Sequence, residues 1–179
     1  MADNHTHDAV IRKMYDALCV LMDEKDYTDI TITDIVNAAG VSRMAFYRNY
    51  KDKREILLGQ FETILRQYSE QFSHAGGQLR RELWDSYFDE LRSSEIIQYI
   101  RKAGLVYAAS EIFRETHLAY YRDIRRWPLD DPNAMLGAYQ HMGMMSGVLA
   151  YLADYPQDAD NTLLTNAMLA AVSEEADIS

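Results

Sequence analysis

Apolar residues recur three and four positions apart along almost the whole chain, and across 179 residues only 3 prolines and 8 glycines interrupt that rhythm. Such spacing gathers apolar side chains on one face of an α-helix, whereas a half-buried strand needs strict alternation, which no stretch sustains. The expected fold class is all-α. The pattern predicts helices over residues 6–24, 31–39, 42–50, 54–73, 78–91, 94–107, 108–125, 132–155 and 162–174. The first carries Val10, Ile11, Met14, Leu18, Leu21 and Met22 on one face. Loops are expected at His74 to Gly77, at Trp127 to Asp131 and at Pro156.

No apolar run approaches the roughly 20 residues that cross a bilayer, and the opening MADNHTHDAV lacks a basic, then apolar leader, so a cytoplasmic protein is expected. The single cysteine, Cys19, has no partner in the chain for a disulfide and sits among Tyr15, Leu18 and Met22, which suggests a core position.

The formal net charge is -10, and a phosphate backbone repels such a chain unless its charge is unevenly spread. It is uneven. Residues 1–53 hold 7 Lys+Arg against 9 Asp+Glu, a net of -2, and residues 54–179 hold 11 against 19, a net of -8. Arg43, Arg48, Lys51, Lys53 and Arg54 fall within one short segment, interleaved with Phe46, Tyr47 and Tyr50.

That segment has the layout of two short helices about a tight turn. Thr31 and Asp34 stand at capping-box spacing, Gly40 can take the left-handed conformation that ends a helix, and Ser42 can cap the next. In a helix-turn-helix the first helix braces across the DNA backbone and the second enters the major groove. Arg43 would then reach base edges while Lys51, Lys53 and Arg54 hold phosphates. Phe46 and Tyr50, four apart, are expected to pack inward, with Tyr47 and Asn49 toward DNA.

Residues 31–58 resemble the DNA-binding segment of the TetR family of transcriptional regulators. The features that carry the resemblance are the capped short helix, AAGVS at Ala38 to Ser42, the pair Phe46 and Tyr47, the aromatic Tyr50, the K-x-K of Lys51 and Lys53, and the apolar run Ile56 to Leu58. The resemblance implies a homodimeric repressor of a pseudo-palindromic double-stranded DNA operator, with a DNA-binding domain over residues 1–53 and a helical regulatory, ligand-binding and dimerisation domain over 54–179. It also implies a DNA-facing set of Thr33, Ser42, Arg43, Met44, Tyr47, Arg48, Asn49 and Lys53. Met44 stands where many members have a small residue, so the operator sequence does not transfer from a relative.

Farther on, Gly137, Gly143, Ser146, Gly147 and Ala150 recur at helical spacing, and residues 162–174 carry an apolar stripe. The family's last two helices commonly form a bundle across the two-fold axis, which makes Gly143, Gly147, Ala150, Leu164, Met168 and Ala171 the expected dimer interface, with helix packing inside one chain as the alternative. Aromatic and methionine side chains in this half suit an apolar pocket, with Trp84, Phe88, Tyr107, Phe113, His117, Tyr121, Tyr139 and Met142 as candidate lining for an unknown small-molecule effector and Glu111 or Arg114 as a charged contact. No cofactor and no resident metal are expected, since neither HExxH nor a cysteine cluster occurs. An enzyme built on His5, His7, Asp8, Glu111, Glu115, His117 and His141 is the weaker alternative. An all-helical interaction or ligand-binding protein that has lost DNA binding also stays open, as does an activator in place of a repressor.

Overall fold

The computed structural model describes residues 2–75, 77–155 and 161–174, and these form helices and short connections with no strand among them. In order they are α1 (Ala2–Glu24), a 3-10 turn (Tyr27–Asp29), α2 (Ile32–Ala39), α3 (Arg43–Asn49), α4 (Arg54–His74), α5 (Gly77–Ser93), α6 (Ile96–Lys102), α7 (Val106–Ala119), a π-helical turn (Tyr120–Ile124), α8 (Pro132–Asp154) and α9 (Asn161–Glu174). No helix among the described residues is long and apolar enough to cross a membrane.

The largest difference from the expected boundaries lies around α6 and α7. The expected break between residues 107 and 108 lies instead at Gly104, whose φ of 69° ends α6 while the Leu105 amide returns 2.9 Å to the Ile100 carbonyl. A left-handed residue of that kind satisfies the last carbonyls of a helix, and glycine does so without a Cβ penalty. Between α1 and α2 the turn around Asp26 takes a 3-10 form over Tyr27–Asp29.

By contact the chain divides into two compact units, Met1–Phe61 with Gln98–Ala109, and Glu62–Ile97 with Ser110–Ser179. The domain boundary expected at residue 53 falls inside the first unit. There, α2 and α3 pack on α1 around Met14, Leu18, Ile30, Ile35, Phe46 and Leu57, all nearly without exposure. Asp23 near the end of α1 accepts from the Tyr99 hydroxyl at 3.0 Å and pairs with Lys102 at 3.1 Å, which ties α6 to α1. Cys19 is only partly buried and interacts with Tyr15, whose hydroxyl burial raises its pKa.

In the second unit α5 packs on α9. Arg81 and Arg92 donate to the side-chain carbonyls of Asn166 and Asn161 at 2.8 and 2.7 Å, and the fully buried Thr165 hydroxyl donates to Asp85. Trp84 and Phe88 of α5 stack at 5.7 Å, and Phe72 of α4 meets Trp84 at 4.3 Å, an aromatic core of the kind that dominates burial energetics in helical domains.

Candidate nucleic-acid interface

The start of α2 is fixed by local bonds. The Thr31 hydroxyl accepts from the Asp34 amide at 3.1 Å, and the Asp34 carboxylate accepts from the Thr31 amide at 2.9 Å, completing the capping box. The Lys25 ammonium adds a bond of 2.9 Å, and it is the main reason the Asp34 carboxyl is held down to about 2, with the Thr31 bonds next. Gly40 then turns the chain at φ 62°, and the Val41 amide reaches back 3.0 Å to the Val36 carbonyl. Ser42 caps α3 through the Ala45 amide at 3.1 Å. Phe46 is wholly buried, with Tyr47 and Tyr50 against its ring at 5.3 and 5.8 Å. One side of α3 is thereby fixed to the core and the other left outward.

On the outward side the first turns of α2 and α3 meet. The Arg43 guanidinium donates to the Thr33 hydroxyl at 3.2 Å and to the Tyr47 hydroxyl at 3.4 Å, and lies 6.0 Å from the Tyr47 ring centroid. Two contacts of this kind restrain a long side chain before any ligand arrives, lowering the entropy cost of binding. Ser42, Met44 and Arg48 are exposed beside them, Met44 by 75% and Tyr47 by 51%. An exposed methionine next to a restrained guanidinium offers an apolar contact for a thymine methyl and a fork for guanine.

Two members of the expected set lie elsewhere. Asn49 turns back on its own helix: its amide nitrogen donates 2.7 Å to the Ala45 carbonyl, and its Oδ1 is buried without a partner. Lys53 is engaged with main chain rather than free for phosphate. Its ammonium donates to the carbonyls of Tyr27 and Ile30, the latter at 2.6 Å, and stands 4.2 Å from the Tyr27 ring centroid. Arg54 likewise forks onto Asp52, with its closest contact at 2.6 Å. Thus the exposed basic groups of this segment are Arg43 and Arg48 on α3, Lys51 just after it, and Arg54, the last paired with Asp52. The Lys25 and Lys53 contacts went unforeseen, since each spans residues far apart in sequence.

Residues 15–59, from the middle of α1 to the second turn of α4, match the family described as bacterial regulatory proteins, tetR family. Over this segment the chain is similar to that family. No curated protein sequence matches it. The match supports a helix-turn-helix of a DNA-binding transcription regulator.

The second unit holds a cavity of about 50 Å³. Trp84, His117 and Tyr121 of the expected lining reach it, together with Phe72 and Tyr120. Tyr107 does not belong there, because it is 79% exposed and falls in the first unit, and Tyr139 is also outward. Phe88, Phe113 and Met142 are buried core. Glu111 and Arg114 pair with each other at 2.9 Å. The sequence reading missed Ser69, Arg80, Arg125 and His141. Its available signal was the four-residue step of α5, which sets Arg80 one turn before Trp84.

Gly143, Gly147 and Ala150 lie on an exposed face of α8 with Leu136, Tyr139 and Tyr151. Leu164 and Met168 do not join that face. Both are buried within the unit, Met168 completely, so they are internal packing, and Leu163 is the exposed large apolar residue among the described side chains of α9. The Ala171 side chain lies outside the described residues.

Proposed function

We propose that the protein is a cytoplasmic, ligand-responsive homodimeric repressor, with residues 1–53 as its DNA-binding domain and 54–179 as its regulatory and dimerisation domain. The observation that carries the reading is the Thr33, Arg43 and Tyr47 cluster, a guanidinium restrained on the outward side of α3 in an otherwise acidic chain. Arg43 reads a guanine, Met44 and Arg48 extend the contact along the groove, and Ser42, Thr33 and Tyr47 reach phosphates.

A pseudo-palindromic operator needs two recognition helices about 34 Å apart. The small and aromatic residues exposed along α8, with Leu163 of α9, support pairing with a second copy, since symmetric dimers bury one patch against itself. An effector bound in the second unit releases DNA only to the extent that it prefers the conformer with misplaced recognition helices. The continuous helix α4 is the element through which that preference reaches α3.

The test is a gel shift with the DNA upstream of this protein's gene and its neighbours, comparing the unaltered chain with Arg43→Ala and Tyr47→Ala over a salt series. A shift lost in either variant and weakening steeply with salt supports the reading. No shift at low salt from folded dimer favours an interaction protein that has lost DNA binding.

A further inference from the structure

The cavity of the second unit differs in chemistry from the acidic chain around it. Two guanidiniums, Arg80 and Arg125, line it, with no aspartate or glutamate among its described lining residues. Arg80 spends one nitrogen on the Ala75 carbonyl at 3.1 Å. A guanidinium has five donors, so this bond orients the group without exhausting it.

The neutral polar groups add donors. Trp84 is 6% exposed, and its Nε1, which can only donate, is buried with no partner. His141 is bonded through Nδ1 to the Tyr121 hydroxyl. Imidazole is the stronger base of that pair, so the phenol donates and the ring proton of neutral His141 sits on Nε2, which is also buried without a partner. Burial keeps the imidazoles neutral: His117 and His141 are both pushed down to about 4, chiefly by desolvation. His117 meets the Phe113 carbonyl through Nδ1 at 2.9 Å, which leaves its Nε2 as an acceptor.

Buried donors without acceptors each cost free energy, and a native fold retains them where something supplies the acceptor. Two such donors on lining residues, beside two guanidiniums, call for a ligand whose polar end chiefly accepts. A space of about 50 Å³ holds a few water-sized positions, hence a ligand of a few heavy atoms as the cavity stands. The adjoining groove shares Ser69 and Tyr120 but carries Glu62, Glu70, Glu115 and Asp123, so a cation has a better place next door. The π-helical turn Tyr120–Ile124 contributes Tyr120 and Tyr121 to the cavity, and such turns are frequent where a helix wall is shaped for a ligand.

We propose that this cavity binds a small carboxylate, held by Arg80 and Arg125 and by the Trp84 and His141 ring N–H groups. This deepens the ligand-responsive reading above and rests on it for its regulatory meaning.

The test is calorimetric titration of the full unaltered chain, without DNA and at constant ionic strength, with acetate, glycolate, acetamide, methylammonium and sulfate. Acetate or glycolate is expected to bind at least about tenfold more tightly than acetamide, a charge-assisted pair being worth roughly that much or more. Arg125→Gln, and Trp84→Phe, which keeps an aromatic ring and removes the N–H, should each weaken carboxylate binding while circular dichroism stays unchanged. Equal affinity for acetamide, sulfate as tight as acetate, or no carboxylate binding to the unaltered chain overturns the proposal. Because no operator is present, absence of carboxylate binding leaves the DNA-binding reading intact, and a failed gel shift leaves carboxylate binding intact.

Discussion

The Lys53 ammonium donates to the Ile30 carbonyl across 2.6 Å, bridging the turn after α3 to the residue that precedes the cap of α2. The same ammonium bonds the Tyr27 carbonyl and faces the Tyr27 ring, so one cation satisfies carbonyls around the 3-10 turn. Its pKa is lowered, mainly by desolvation, with Asp29 the chief opposing influence. Lys53→Met keeps most of the stem and removes those bonds. The expected loss is about 1 to 3 kcal/mol of stability, the usual cost of leaving such acceptors unpaired. A urea series should show a lower midpoint, and the salt slope of operator binding should stay unchanged. A salt slope reduced by about one per half-site with stability intact would place Lys53 at a phosphate after all.

Arg43 is restrained by Thr33 and Tyr47 before binding, which separates its energetic roles. Arg43→Ala removes the base contact and should cost about 1 to 3 kcal/mol for the preferred operator while relaxing base choice at one position. Thr33→Val leaves Arg43 present but less held. Competition binding against single-base operator variants should then show a smaller loss, with the preference for one base retained. Equal losses across every base variant in Arg43→Ala would mean that Arg43 contacts phosphate only.

What could be read in the sequence was what a few neighbouring residues decide. Thr31 with Asp34, Gly40 and Ser42 set caps and a turn within three or four residues, and the structure realises them as expected. Lys53 was placed at phosphate because its partners, 23 and 26 residues earlier, are main-chain carbonyls with no signature in side-chain identity. Gly104 was overlooked because Leu105, Val106 and Tyr107 continue an apolar rhythm across it, although Tyr107 ends outside the core. The stripe of α9 was ambiguous in principle. An apolar face does not say whether it meets α5 or another copy, and Leu164 and Met168 meet the interior of their own unit.

The two buried imidazoles predict how stability depends on pH. His117 and His141 are pushed from the ordinary 6.5 down to about 4 in the folded chain, His117 also by His141 and His141 also by Arg125. Between those values the unfolded chain binds more protons, so folding is favoured fully above 6.5 and progressively less as pH falls toward 4. Charging both costs on the order of a few kcal/mol. Thermal melts at intervals through this window should show the midpoint falling, and His117→Asn should flatten part of the decline. An unchanged midpoint from neutral pH to 5 would show that these rings protonate freely.

Gly147 separates the partner-facing reading of α8 from plain surface. It is exposed among Gly143, Ala150 and Tyr151, and a Cβ added there has open space around it beyond its own turn of helix. Gly147→Arg should therefore fold, and it even gains helix propensity of about 0.5 to 1 kcal/mol. Against a two-fold partner the same arginine meets its own symmetry mate in a close-packed patch, where a like charge and a long side chain oppose association twice over. Sedimentation equilibrium should show the unaltered chain as dimer and Gly147→Arg as monomer, with operator binding lost though Arg43 is intact. Met168→Ala gives the contrast: it opens a cavity inside one unit, so it should lower the melting midpoint by the equivalent of about 2 to 5 kcal/mol. A Gly147→Arg chain that remains dimeric would place the partner surface elsewhere than α8.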